Sequence, residues 1–256
     1  MQVTVLGKSP SWQDADGACS GYLVGESGTS VLLDSGNGVF GKLRRFADYL
    51  ALDAVVISHL HADHFLDLVP YASALIYSPR QAADAPSRPR LLVPEGGGEA
   101  LRRVCVACGM EAEHIERAFA VTEYAPSDVI EVGTMCVRFH SVPHYLPTCA
   151  IDVASGNGGG RFTYGADSAP NDELIRFADG TDLLMIEATL PRPEHNVPRG
   201  HLTAAEAGEH GSKARVRRLV LTHISDELDE QWMRAEAEKA FGGPVDVARE
   251  GAVFTV

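Results

Sequence analysis

Positive charge and long apolar runs are both scarce in these 256 residues. Lysine and arginine number 22 against 35 aspartates and glutamates, a formal net charge of −13. Such a balance argues against a surface that tracks a nucleic-acid backbone, which needs clustered cations. It leaves room for a small anion held by buried metal ions, because their charge dominates the local field. No apolar run approaches the ~20 residues that cross a bilayer. The opening Met1-Gln2-Val3-Thr4-Val5-Leu6 lacks both the basic flank and the length of a secretory signal. Cysteine is sparse and odd in number, five, which fits a reducing compartment and no disulfide framework. The protein is therefore expected in the cytoplasm.

Two tempting motifs are also incomplete. Cys105-Val106-Ala107-Cys108 is a lone CxxC in a segment that reads as helix from Glu99 to Cys108, away from any thioredoxin-like βαβ pattern. It predicts two small apolar side chains on one helix face. Gly96-Gly97-Gly98 is not followed by Gly-Lys-Ser/Thr, so it reads as a turn and not as a phosphate loop.

What the chain does have is a core. At 45% hydrophobic it can bury one, and no linker-like shift in composition divides it. One domain over 1–256 is expected. Strands are predicted at Val3 to Leu6, Ser20 to Val24, Thr29 to Leu33, Asp53 to Ser58, Leu91 to Pro94, Val121 to Ala125, Met135 to Val142, Asp182 to Ala188 and Arg218 to Thr222. Cys149 to Val153 and Phe162 to Gly165 form a hairpin across Gly156 to Gly160. Helices are predicted from Val39 to Tyr49, from His64 to about Tyr77, from His201 onward and from Leu228 to Phe241, with two short strands closing the chain. Ser78 to Arg90, with three prolines, reads as a flexible loop able to rim a pocket. Two internal echoes, Val31–Gly36 with Phe162–Ser168 and Val55–His59 with Leu219–His223, suggest two similar β/α halves meeting at their strand ends.

The chemistry is concentrated in His59-Leu60-His61-Ala62-Asp63-His64, directly after the β-branched run Val55-Val56-Ile57. Residues after His64 carry helical spacing, so the motif lies on a strand-to-helix turn. In an extended segment alternate side chains share a side, so His59 and His61 can converge on one cation. Asp63 and His64 fall where the chain turns and aim toward a second. Three imidazoles and a carboxylate within six residues point to metal ligation.

This motif, followed by His144, Asp167 and His223 after further apolar strands, resembles the metallo-β-lactamase superfamily. The resemblance covers nearly the whole chain and implies a four-layer αββα sandwich of α/β (α+β) class, with two metal ions at one edge. Position by position, His59, His61 and His144 would bind one ion, Asp63, His64 and His223 the other, with Asp167 bridging. Nitrogen and oxygen donors alone suit zinc, with manganese or iron as alternatives. His144 is preferred over His140 because His144-Tyr-Leu-Pro147-Thr-Cys-Ala150 is similar to the His-x-x-Pro-x-x-Gly/Ala pattern of the phosphodiesterase branch. His114, His195 and His210 match nothing and read as surface residues.

Asp182 to Thr189, ending in Glu187-Ala188, resembles a segment of the ribonuclease Z group, and His201-Leu-Thr-Ala-Ala-Glu206 the histidine that follows it. The resemblance implies that Glu187 and His201 are hydrogen-bonded and that the histidine faces the scissile phosphate. Asp63, His201 and Glu187 are accordingly the expected catalytic residues, and Asp34 an outer partner of the metal ligands. The long arm with which ribonuclease Z enzymes grip transfer-RNA precursors has no counterpart, since only a glycine-rich turn separates Ile151 from Thr163. Lys213 to Arg218 reads as a solvated helix end. Gly165-Ala166-Asp167-Ser168 stands where the family often has Gly-Asp-Thr. The chain looks closest to actinobacterial atypical class II cyclic-nucleotide phosphodiesterases.

A hydrolase of small anionic phosphodiesters is thus expected, most plausibly of cyclic nucleotides, with neither membrane nor structured nucleic acid as partner; a homodimer is an admissible assembly. A ribonuclease and a lactone or thioester hydrolase are the nearest alternatives. From another class come an iron redox enzyme on the same scaffold and a metal-free binding scaffold. His61 stands where flavodiiron relatives have glutamate, and all seven ligand positions are filled.

Overall fold

The computed structural model describes residues 1–81, 86–195 and 198–256. Its first half runs β1 (Gln2–Gly7), β2 (Gly21–Glu26), β3 (Thr29–Leu33), α1 (Val39–Phe46), β4 (Ala54–Val56), α2 (Ala62–Phe65), α3 (Leu68–Tyr77), β5 (Arg90–Pro94), α4 (Gly97–Ala107), α5 (His114–Ala118) and β6 (Ala120–Tyr124). The second half runs β7 (Val129–Val132), β8 (Met135–Val142), β9 (Thr148–Ser155), β10 (Arg161–Tyr164), α6 (Asp172–Phe177), β11 (Leu183–Glu187), α7 (Ala204–Lys213), β12 (Arg218–Thr222), α8 (Glu230–Phe241), β13 (Val245–Val247) and β14 (Val253–Thr255). The strands form two mixed sheets of seven, in the orders β14-β1-β2-β3-β4-β5-β6 and β13-β12-β11-β10-β9-β8-β7.

Period-two patterning decides which side chain enters which layer. Val3, Val5, Tyr22, Val24, Val31 and Leu33 turn inward to meet Phe139, Ile151, Val153, Phe162 and Tyr164 of the other sheet. Their neighbours Leu6, Leu23, Leu32, Val55 and Leu91 point outward and are covered by Phe40, Leu43, Tyr71 and Leu101 of the first-sheet helices. Leu184, Ile186, Leu219 and Leu221 are covered in the same way by Ala207, Met233 and Ala237 of α7 and α8. This is the αββα sandwich expected, with helices on both outer faces.

Strands β3 to β6 are parallel, as are β10 to β13. Their carboxyl ends, which carry Asp34, His59, Asp167, Glu187 and His223, therefore collect at one edge, where α/β folds bind ligands. The first internal echo is borne out in the topology, since β3 and β10 are each fourth in their sheets. The second is displaced by one strand. By position β4 corresponds to β11, whereas the echo paired it with β12, because apolar runs ending in a polar residue recur at every parallel strand.

Other expectations need correction. The helix from His64 to Tyr77 is two helices, with Asp67 between them accepting the Phe40 backbone N–H at 2.8 Å. The helix from Val39 stops at Phe46, and a separate 3-10 turn covers Tyr49–Ala51. The helix expected to open at His201 begins at Ala204, where Thr203 and Glu206 form a reciprocal cap. Cys108 ends α4 exposed while Cys105 is buried, so the CxxC does not share one face. His114 and His210 are buried, contrary to the surface reading. His114 Nε2 lies 3.0 Å from Ser73 Oγ; His210 Nδ1 donates to the Glu206 carbonyl and its Nε2 accepts from the Asn171 N–H. The loop expected over 78–90 includes 82–85, which lie outside the described residues. No described helix is long and apolar enough to cross a membrane.

Candidate metal centre

The motif turn does what its spacing demands. His59 follows β4 by three residues, His61 precedes α2 with β-region backbone, and Asp63 and His64 occupy the first turn of that helix. His59 Nε2 then lies 3.1 Å from His61 Nδ1, which lies 3.0 Å from His144 Nε2. On the other side Asp63 Oδ2 lies 3.2 Å from His223 Nε2 and 3.4 Å from His64 Nε2. Asp167 Oδ2 joins the two groups, at 3.8 Å from His59, 3.9 Å from His144, 3.4 Å from His64 and 3.5 Å from His223. Two donors each about 2.0–2.1 Å from one zinc ion lie at most roughly 4.2 Å apart. Every one of these separations satisfies that limit. The donors form two sets, His59, His61, His144 and Asp167, and Asp63, His64, Asp167 and His223.

The polar atoms left over fit the same reading. His64 Nε2 and Asp167 Oδ1 are buried without a hydrogen-bond partner among the described residues. His64 Nδ1 faces Asp34 Oδ2 at 2.7 Å and takes the ring proton, so the Nε2 lone pair is turned toward Asp63 and Asp167. A lone pair aimed at two carboxylates is repulsive unless a proton or a cation stands between them, and a buried unmet polar group costs about 1–3 kcal/mol. Electrostatics supply the complement. Burial holds His59, His61 and His144 below the ordinary imidazole range, in the neutral form that ligates metals. Burial opposes charge on His64 too, yet the Asp167 and Asp34 carboxylates keep it protonated well above that range. Burial likewise opposes ionisation of Asp167, but His223 and His64 hold it well below the carboxylate range. A divalent cation can replace the His64 proton and supply positive charge between the same carboxylates.

The imidazoles are oriented from behind. Ser58 Oγ lies 3.0 Å from His59 Nδ1, the Gly200 carbonyl accepts from His144 Nδ1 at 2.8 Å, and Thr189 Oγ1 lies 2.7 Å from His223 Nδ1. Asp34 is the hub expected, accepting also from the Ser58 backbone N–H, Ser58 Oγ and Tyr164 OH. Ser58, Thr189, Tyr164 and Gly200 were not foreseen, since hydroxyls and carbonyls carry no sequence signal of their own. Asp34, Ala166 and His223, which follow β3, β10 and β12, all have left-handed backbone, at φ 57°, 52° and 55°.

Glu187 and His201 stand beside the second set. Glu187 Oε1 accepts from His201 Nδ1 and from the Ser168 N–H, both at 2.9 Å, and Oε2 from the Leu202 and Thr189 N–H groups. A carboxylate with four donors is fixed. His201 Nδ1 is also 3.9 Å from Asp167 Oδ2, and among the described residues its Nε2 has no hydrogen-bond partner. Burial disfavours its charge, but the Glu187 hydrogen bond and charge outweigh burial and raise it to about 9.

His140 does not join the cluster. It points out from β8 to Glu173, 3.2 Å away, and stacks on Phe177. His140→Ala is therefore expected to leave metal content near wild type, and His144→Ala to lower it. Elemental analysis of the two variants after identical reconstitution checks this, and the reverse result would exchange the two histidines. His195 is exposed and outside both donor sets.

Residues 29–224 match the family profile described as Beta-lactamase superfamily domain. An uncharacterized protein of Mycobacterium tuberculosis is 32% identical over 247 residues, covering 96% of this chain and 88% of that one. YhfI of Bacillus subtilis, described as a probable metallo-hydrolase, is 29% identical and covers 99% of both chains. Its crystal structure superposes with a TM-score of 0.86 over 99% of this chain and 98% of that chain, at 26% identity. A ribonuclease Z of Natronomonas pharaonis is 25% identical over 302 aligned positions, covering 98% of this chain and 96% of the enzyme. That alignment is longer than the 256 residues here, so the enzyme carries segments with no counterpart in this chain.

Proposed function

As a member of the beta-lactamase superfamily this chain is a metallo-hydrolase, and we propose that it uses two divalent ions to cleave phosphodiesters, those of small cyclic nucleotides first. The observation carrying this reading is the placement of Asp167 Oδ2 within 3.9 Å of imidazole nitrogens of five histidines, His59, His64, His144, His223 and the Glu187-bound His201. His59, His61 and His144 would hold one ion, Asp63, His64 and His223 the other, and Asp167 would contribute to both; zinc fits the donor set best, and manganese or iron also fit. When bound, the ions supply Lewis acidity, a clamp for the phosphate oxygens and an activated water. Glu187 orients His201, whose Nε2, left without a hydrogen-bond partner among the described residues, donates a proton to the leaving oxygen. Residues 1–256 act as one catalytic unit in this reading.

Turnover of bis(p-nitrophenyl) phosphate and a panel of cyclic nucleotides by protein reconstituted with zinc or manganese tests the assignment. Hydrolysis of lactones or thioesters with no diester turnover would overturn it in favour of those substrates. Reduction or oxygen consumption with an iron-loaded protein would move it to the redox class.

The ribonuclease Z relatives make RNA the second reading, and the surface opposes it. Lys213, Arg215, Arg217 and Arg218 each pair with an acidic neighbour, Glu209, Asp179, Asp182 and Asp246, so the basic run is internally neutralised. Structured RNA is expected to bind weakly, with a shallow dependence on salt, because each phosphate contact to a duplex contributes a logarithmic slope of about −0.9. Cleavage of a transfer-RNA precursor at a rate rivalling that on small diesters would refute this expectation.

A further inference from the structure

Large aromatic side chains are rarely left open beside a buried polar centre without a purpose, and Tyr145 is one. It follows His144 directly, and its side chain is 49% exposed. Its ring centroid lies 4.9 Å from that of His144 and 5.7 Å from that of His201, so it borders both a ligand and the proton donor. One side of the ring is packed on Gly200, where an added Cβ would come within 2.5–2.8 Å of three ring carbons. Gly200 thus has two tasks: its carbonyl holds His144, and its missing side chain leaves room for the tyrosine ring. The hydroxyl reaches Glu194 Oε2 at 3.5 Å, a weak tether at the ring's far end. With one side packed and about half its surface open, the ring can receive a flat group on its free side, next to His144 and His201. Tyrosine fixed in this way offers wide contact area at low entropic cost, since only two torsions are held.

We propose that Tyr145 is a specificity-determining stacking platform for the heteroaromatic base of the substrate. The inference rests on the phosphodiester reading above and deepens it. The ring lies beside His201, with centroids 5.7 Å apart, so the base it receives belongs to the ester group whose oxygen His201 protonates. Stacking is indifferent to base identity, because every base has a π-face. The site should therefore distinguish nucleotides from sugar phosphates strongly and purines from pyrimidines weakly. An acidic protein gains by this arrangement, because a neutral ring adds affinity without adding cations.

The test compares binding of adenosine 5′-monophosphate and ribose 5-phosphate to zinc-reconstituted protein by calorimetry, with metal content measured in every sample. Wild type should prefer the nucleotide. Tyr145→Ala should weaken nucleotide binding by about 5- to 150-fold, the range for loss of one base–aromatic stack. Ribose 5-phosphate should change by less than about twofold, and Tyr145→Phe should restore most of the preference. Equal losses on both ligands, a preference that survives Tyr145→Ala, or a phenylalanine variant as poor as alanine would each overturn the platform and make Tyr145 a prop for His144. Failure of the diester reading shows separately: wild type would keep its base preference yet cleave neither 3′,5′-cyclic adenosine monophosphate nor bis(p-nitrophenyl) phosphate.

Discussion

Asp167→Ala is expected to disrupt both metal positions together and to abolish most hydrolytic activity. Asp167 is the sole residue common to the two donor sets among the described residues, and it is almost fully buried. Its removal takes one of four protein donors from each position and leaves Asp63 as the only carboxylate in either set. Two divalent charges would then face five imidazoles and one carboxylate, with no bridging oxygen to hold them near each other. The ions supply several kcal/mol of transition-state stabilisation, so a loss of about 10³-fold or more in kcat should follow. Asp167→Asn separates geometry from charge: it keeps an oxygen donor but cannot offset the cations, and should retain less than the wild-type complement. Elemental analysis after reconstitution with zinc or manganese should give two ions per chain for wild type and one or none for the alanine variant. Wild type with a single ion, or an alanine variant that keeps both ions and its turnover, would refute the dinuclear assignment. Circular dichroism should be unchanged, because Asp167 lies beyond β10 and contributes nothing to the sheet core.

The second large effect tests chemistry instead of metal capture. His201→Ala should keep both ions yet slow turnover by about 10²–10⁴-fold, the range for loss of a general acid. Its Nδ1 is committed to Glu187, so Nε2 is the atom that can serve the leaving oxygen. The deficit should shrink for p-nitrophenolate, which leaves without a proton, and be largest for sugar hydroxyls. Glu187→Gln should act in the same direction but more weakly, since the imidazole remains while its orienting charge is lost. The double variant should be little worse than His201→Ala alone, as for residues that act as a unit. A uniform loss across leaving groups would make His201 a phosphate-binding residue, and loss of metal in either single variant would make the pair structural.

The parts of this architecture that were legible in the sequence are those where a short apolar strand ends in a ligand. Val55-Val56-Ile57 before His59, and Leu219-Val220-Leu221 before His223, announce both the strand and the residue at its mouth. The four- to six-residue elements β7, α5 and α6 were not seen, because so short a window holds barely one period of either pattern. His114 and His210 were misplaced for a different reason. Their partners Ser73 and Asn171 are 41 and 39 residues away, and only tertiary structure brings them into reach. The true start of α7 was readable, since Thr203-Ala-Ala-Glu206 has the spacing of a capping box. The supporting shell of Ser58, Thr189, Tyr164 and Gly200 could not be found from residue type at all.

The left-handed residues at the strand ends have one more consequence. Non-glycine residues in that region each cost on the order of 1–3 kcal/mol, and the three here flank the centre on three different strands. Ala166 shows why such a conformation is worth keeping. It stands between Gly165, still bonded to Met185 in the neighbouring strand, and Asp167, so its reversed φ takes up the extra residue and returns the carboxylate to the common edge. These turns directly follow strands bonded into the sheets, so it is the sheets, through folding, that carry the expense of positioning the side chains. Ions held in this way should leave when the sandwich melts, in a single cooperative event, and not by prior loosening of the loops.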